Sequence, residues 1–117
     1  MSSQESVHIA KDLVAASAAP LILAILAEED NYGYAILKRV RELSGGQVGW
    51  SEGMLYPLLH RLEERGLIRS RSVRSSSGPP RKFYVLNKKG HRHLESSRVQ
   101  WRLMNDTLER AWVLTNG

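Results

Sequence analysis

The apolar residues fall into separate blocks, and their spacing changes from one block to the next. Leu13 to Ala27 is apolar on nearly every side, which predicts a buried helix from about Ala10 to Glu28. Pro20 lies inside it and removes a backbone donor. The helix therefore either bends at Pro20 or starts there, with Pro20 in its first turn. At about 1.5 Å per residue the run is too short to span a bilayer comfortably. It also lacks the preceding cationic segment of a secretory signal. Glu28-Glu29-Asp30-Asn31 then breaks the pattern, and Asp30 or Asn31 can cap a second helix over Tyr32–Leu43. Tyr32, Ile36, Val40 and Leu43 recur there at helical spacing, and Ser44-Gly45-Gly46 ends it.

The third block is the clearest. Ser51 is a good N-cap, and Trp50 and Leu55 can form a hydrophobic staple across it. Leu55, Leu58, Leu59 and Leu62 form one stripe, and Gly66 ends the helix. The opposite face carries Gly53, Tyr56, Pro57, His60 and Arg61, a combination suited to reading a DNA groove. Glu64, three residues after Arg61, is a competing partner for it. The short glycine-containing link from the second helix completes a helix-turn-helix layout. Leu67–Val73 and Arg81–Leu86 then read as two strands around Ser75-Ser76-Ser77-Gly78-Pro79-Pro80, a turn of loop formers. A two-stranded ribbon with a basic-flanked tip is a wing, and its arginines can reach phosphates.

Asn87 can cap a last helix from Lys88 to about Val113. Leu94, Trp101 and Leu108 lie seven apart, with Met104 and Ala111 three after the last two, as in a short heptad seam. Such a helix would extend roughly 37 Å at about 1.5 Å per residue, more than so small a domain can cover. With Trp101 and Trp112 on it, a second copy of the chain is the simplest partner. The fold class is thus mainly α with a two-stranded β wing: a winged helix-turn-helix plus a long C-terminal dimerisation helix. Residues 1–8 are read as a flexible N-terminus, 9–86 as the DNA-binding domain and 87–117 as the dimerisation helix.

Composition sharpens this reading. The 117 residues suit one domain, and the formal net charge of +5 favours a polyanionic partner. The charge is concentrated. Between Arg65 and Arg92 there is no Asp or Glu, but there are Arg65, Arg69, Arg71, Arg74, Arg81, Lys82, Lys88, Lys89 and Arg92. No cysteine is present, so disulfides and cysteine-ligated zinc are excluded. His91 and His93 are about 200° apart on a helix and cannot share a metal unaided. No serine–histidine–acid grouping or phosphate-binding glycine loop suggests an enzyme.

Several strings, taken together at their spacing, resemble the PadR family of bacterial regulators. They are Leu21-Ile22-Leu23-Ala24-Ile25-Leu26, Tyr32-Gly33-Tyr34, and the Ser51-to-Ile68 run with Gly53, Leu55-Tyr56-Pro57-Leu58-Leu59 and Arg61-Leu62-Glu63. Gly78-Pro79-Pro80-Arg81-Lys82-Phe83-Tyr84, Leu86 and Gly90 complete the set. The resemblance covers about residue 20 to residue 113. It implies a cytoplasmic homodimer, usually a repressor, on a near-palindromic double-stranded DNA operator. Base readout would fall to Gly53, Tyr56, Pro57, His60 and Arg61, with Ser51 a further DNA-binding residue. Backbone anchoring would fall to Tyr34, Ser77, Gly78, Arg81, Lys82, Lys88 and Lys89. The dimer interface would hold Leu94, Trp101, Met104, Leu108, Ala111 and Trp112. The chain's compact length is similar to that of a subgroup in which a tryptophan of the last helix stacks on flat, hydrophobic, often cationic ligands. Trp101, Arg98 and Asn105 are the corresponding candidates here, and Trp101 reads either as dimer core alone or as core plus ligand contact. Neither a metal nor a cofactor is implied. Met54 stands where the family usually has Thr, which removes a hydroxyl from the start of the reading helix. The competing functional readings are a protein-binding winged helix and attachment to an anionic membrane. The second lacks a basic amphipathic helix of the usual kind.

Overall fold

Leucine and isoleucine side chains from three helices meet against a small sheet, and every element is placed by the stripe it contributes. The structure, a computed structural model, describes residues 8–116. The expected flexible N-terminus therefore lies outside the described residues apart from His8, as does residue 117. The order is α1 (Lys11–Glu28), β1 (Asn31–Tyr32), α2 (Gly33–Leu43), α3 (Glu52–Glu64), β2 (Ile68–Val73), β3 (Arg81–Leu86) and α4 (Lys88–Asn116). Among the described residues, no helix is long and apolar enough to cross a membrane.

Ile22, Leu23, Ile25 and Leu26 of α1 occupy the centre. Ile36 and Val40 of α2 pack on them, as do Leu55, Leu59 and Leu62 of α3. Each such side chain contributes roughly 1.5–3 kcal/mol by leaving water. Trp50 and Leu55 are both in this core, as the staple across the α3 N-terminus requires. The Ser51 hydroxyl caps α3 by accepting from the Met54 N–H at 3.2 Å. Pro20 lies within α1 and the helix passes through it, so a start at Pro20 is excluded. The donor missing at Pro20 leaves the Ala16 carbonyl without its helical partner. Ala16 is exposed, so water can serve that carbonyl.

The sheet has three strands, not the two expected, in the order β1-β3-β2 and antiparallel throughout. Asn31 and Tyr32 are the added strand, pairing with Tyr84 and Phe83. This changes how α2 begins. Its N-cap is Tyr32, with no side-chain cap. The Asn31 side chain accepts from the Tyr32 N–H at 3.3 Å, and Asp30 pairs with Arg71 at 3.4 Å. Neither expected cap residue caps. In β2 and β3, Ile68, Ser70, Tyr84 and Leu86 face inward. Glu63 joins α3 to β2 by accepting from both the N–H and the hydroxyl of Ser70. Arg39 joins α2 to α1 by donating to both carboxylate oxygens of Glu28, at 2.9 and 3.0 Å. These hydrogen bonds hold the Glu28 carboxyl below its usual pKa.

The start of α4 belongs to the same core. Leu94 is buried within the protomer, which removes it from the expected seam. Although Leu94 and Trp101 share a helix face, the protein body covers that face only over the first turns of α4. Beyond residue 98, every residue of α4 through residue 115 is exposed. A chain of this length that packed tightly would have a radius of gyration of about 13 Å; here it is 16.6 Å, with a longest extent of 59 Å. The free part of α4 accounts for the difference. Asn87 precedes α4, but its side chain does not supply the expected cap. It accepts from Arg69 at 2.7 Å and donates to the Gly66 carbonyl at 3.2 Å.

Gly90 sets how closely α4 approaches the sheet. A Cβ there would run into the Leu67 carbonyl oxygen and the Leu86 side chain. The oxygen is backbone and cannot turn aside. Gly90→Ala is expected to cost about 2 kcal/mol, read as a lower urea midpoint at unchanged slope.

Candidate nucleic-acid interface

Four elements bring tyrosines and cations to one place. Tyr32 comes from β1, Gly33 and Tyr34 from the start of α2, Tyr56 from α3, and Arg81 and Lys82 from β3. Together they line an open cavity of about 480 Å³. Its floor is set by contact between α3 and α2. Gly33 is buried, and a Cβ on it would collide with the hydroxyl and ring of Tyr56. Because α2 has no side-chain cap, its first N–H groups remain available to an anion.

Aromatic rings hold three of the wing's cations, Arg81 and Arg71 on the outer face of the sheet and Lys82 on the face of Tyr84. Arg81 lies over the Tyr32 ring at 4.7 Å, and Tyr32 packs on Phe83 with centroids 5.4 Å apart. Arg71, directly across from Phe83, lies over that ring at 5.7 Å and also reaches Asp30. Lys82 lies 5.8 Å from the ring centroid of Tyr84. Stacking of this kind is worth roughly 0.5–1 kcal/mol at exposed sites. Its main effect is to limit where the guanidinium of Arg81 can point. Tyr84 is buried, which pushes its phenol pKa up; the neighbouring Tyr56 and Glu63 act in the same direction.

Gly53, Tyr56, Pro57, His60 and Arg61 are all exposed on α3. They do not form one patch. Tyr56 turns toward α2 and the wing. His60 pairs with Glu64 at 3.4 Å, one helical turn on, so Glu64 engages His60 rather than the expected Arg61. Arg61 lies on the α1 flank, in a groove with Val14, Ala18 and Met54. Ser77 and Gly78 are exposed at the turn between β2 and β3. Lys88 and Lys89 lie at the opposite end of the ribbon, roughly 17 Å from that turn at about 3.4 Å per residue. Lys89 is already engaged there, donating to the Arg65 carbonyl at the end of α3 at 2.9 Å. Tyr32 and Gly33, absent from the sequence-based candidates, line the cavity. The Tyr32-Gly33-Tyr34 string is the signal that points to them.

A second cavity, of about 320 Å³, opens between α1 and α4. Trp101 and Arg98 line it together with Ser17, Pro20, Leu21, Ala24, Leu94 and Ser97. Asn105, one turn beyond Trp101, is exposed and does not line it. Among the described residues, no group of three or more His, Cys, Asp or Glu is arranged to hold a metal ion.

A helix-turn-helix joined to a cation-bearing wing defines a winged-helix DNA-binding protein. Residues 22–96 match the Transcriptional regulator PadR-like family, and the chain belongs to that family. That family is one of transcriptional regulators rather than enzymes. It is 32% identical over 93 residues to the Transcriptional regulator YqjI of Escherichia coli, a match that covers 80% of this chain and 43% of that protein. The chain thus spans under half the length of that relative. Among solved structures it is similar to a PadR family transcription regulator from Clostridium difficile, with TM-score 0.72 and 36% identity, covering 80% of this chain and 96% of that one. A transcriptional regulator from Clostridium thermocellum superposes with TM-score 0.79 at 26% identity, covering 86% and 97%.

The Gly33–Tyr56 contact makes a prediction. Gly33→Ala should displace the Tyr56 ring and weaken binding to a specific duplex by about tenfold. In a Tyr56→Ala background the same change should have little further effect. Titration of all three variants by fluorescence anisotropy checks this, and equal losses in both backgrounds would separate the two residues.

Proposed function

We propose that this chain acts as a homodimeric repressor on a near-palindromic operator and that a flat hydrophobic ligand in the α1–α4 pocket releases it. The carrying observation is the cavity where α2, α3 and the wing converge, lined by Tyr34, Tyr56, Arg81 and Lys82. A phosphate there meets two cations, tyrosine hydroxyls and the open N-terminus of α2. With the backbone held in that way, the exposed face of α3 enters the major groove beside it. Gly53, Pro57 and His60 then face base edges, and Arg61 reaches the flanking strand. Ser77 and Gly78 carry the wing tip along the neighbouring backbone.

The dimer reading rests on α4. Trp101, Met104, Leu108 and Trp112 are exposed large side chains on a helix that extends past the protein body, and Ala111 lies among them. Such a surface is stable when a second copy covers it. Two reading helices joined this way need half-sites about 34–36 Å apart or a multiple of that. A ligand that wedges α1 from α4 changes that spacing, and this is the route to release.

The direct test is a gel shift on DNA from upstream of the chain's own gene, with excess unrelated duplex present. A discrete shift that survives the competitor supports the reading. Absence of binding even at low salt overturns it in favour of a protein-binding module. Arg81→Gln should weaken binding to all sequences alike and reduce the slope of log affinity against log salt by about 1. Anisotropy across a salt series measures that slope. Met104→Glu combined with Leu108→Glu should yield a monomer by analytical ultracentrifugation. Circular dichroism should also show lost helix, because an uncovered helix end of this length frays in water.

A further inference from the structure

A second group of cations collects at the end of the ribbon away from the wing turn. Arg65 at the end of α3 and Lys89, Arg92 and His93 in the first turns of α4 line an open cavity of about 490 Å³ together with Leu67. No acid lines it. The acids on the adjoining helices are engaged elsewhere: Glu63 with Ser70, Glu64 with His60 and Glu95 with Arg98. Among the described residues, Arg65, Lys89, Arg92 and His93 make no ion pair. Lys89 is held in place, because its stem passes beside Gly66 and its ammonium donates to the Arg65 carbonyl at 2.9 Å. An ammonium carries three donors, so others remain for a ligand.

We infer that this cavity binds a compact polyvalent phosphate, free in solution rather than part of a DNA backbone. The guanidinium forks of Arg65 and Arg92 match phosphate oxygens, and Lys89 and His93 supply further donors. A single exposed ion pair is worth little, so an isolated monovalent anion gains no hold here. Linked phosphoryl groups engage several of these side chains at once, and each further contact is made within one bound ligand. Position separates the cavity from the duplex. Arg65 lies about 140° around the helix axis from His60, at about 100° per residue, and the wing turn is at the ribbon's other end. None of the four residues lines the wing cavity or the pocket between α1 and α4.

The test is a calorimetric titration of tripolyphosphate into the full chain at moderate salt. It is made on Arg81→Gln, which weakens the wing cavity as a competing phosphate site, and on Arg81→Gln that also carries Arg92→Gln. One tripolyphosphate per chain should bind Arg81→Gln, and adding Arg92→Gln should weaken it about tenfold. Arg65→Gln, on the opposite wall, should give a similar loss, and unchanged circular dichroism separates either loss from unfolding. Absence of saturable binding to Arg81→Gln, or an affinity that ignores both Arg92→Gln and Arg65→Gln, overturns the site. Orthophosphate that binds as tightly as tripolyphosphate overturns the polyvalent preference. A second arm measures the anisotropy of a duplex from upstream of the chain's own gene with Arg92→Gln alone. Unchanged duplex affinity and salt slope are expected. Weaker duplex binding with a slope reduced by about 1 would assign Arg92 to the DNA backbone and overturn the free phosphate.

Discussion

The cavity between α2, α3 and the wing depends on the junction where β1 pairs with β3 and Tyr56 rests on Gly33. A wing joined only through its own hairpin could swing relative to the helices. Here the residues just before α2 form the third strand, so the start of α2 and the wing share backbone hydrogen bonds. Tyr32 then stacks between Phe83 and Arg81, and Arg71 closes the row against Asp30. One rigid unit results, with α3 bearing on it through Tyr56. The cavity of about 480 Å³ is a consequence of that junction, because its walls come from β1, α2, α3 and β3.

The same economy appears at the far end of the wing. Lys89 ends α3, Asn87 ties Gly66 to Arg69, and Gly90 lets the backbone of α4 lie against Leu67. These polar contacts fasten α4 to the winged unit by its first turns. Any rotation of α4 therefore reaches α3 and the wing with little slack. Leu94 belongs to this fastening, whereas Trp101 lies at its edge, beside the pocket. The pocket lined by Trp101 and Leu21 thus lies at the boundary between the covered and free parts of α4.

Local signals in the chain were legible where their cause is local. The Ser51 cap, the leucine stripe of α3, the Pro-rich turn and the strand Arg81–Leu86 follow from capping, periodicity and β propensity. The misses have one kind of cause. A two-residue strand has no period, so Asn31 and Tyr32 read as helix cap and helix. Asn87 has the chemistry of a cap, but Arg69 and Gly66 compete for its amide. Glu64 had two partners within a turn, and side-chain direction chose His60. Leu94 and Trp101 share a helix face, and only the extent of the neighbouring body separates a core residue from an exposed one.

The sequence by itself determined the class of protein: the helix-turn-helix, the basic ribbon after it, and a last helix too long for the domain. Periodicity, capping and charge distribution are properties of neighbouring residues, so they survive without a fold. Tertiary structure alone decided which cations meet at one cavity, which are occupied holding helix ends, and that α1 and α4 enclose an apolar pocket beside Trp101. Those facts depend on distances between residues far apart in the chain, such as Asp30 and Arg71 or Leu21 and Trp101. Packing sets such distances, and no local pattern encodes them.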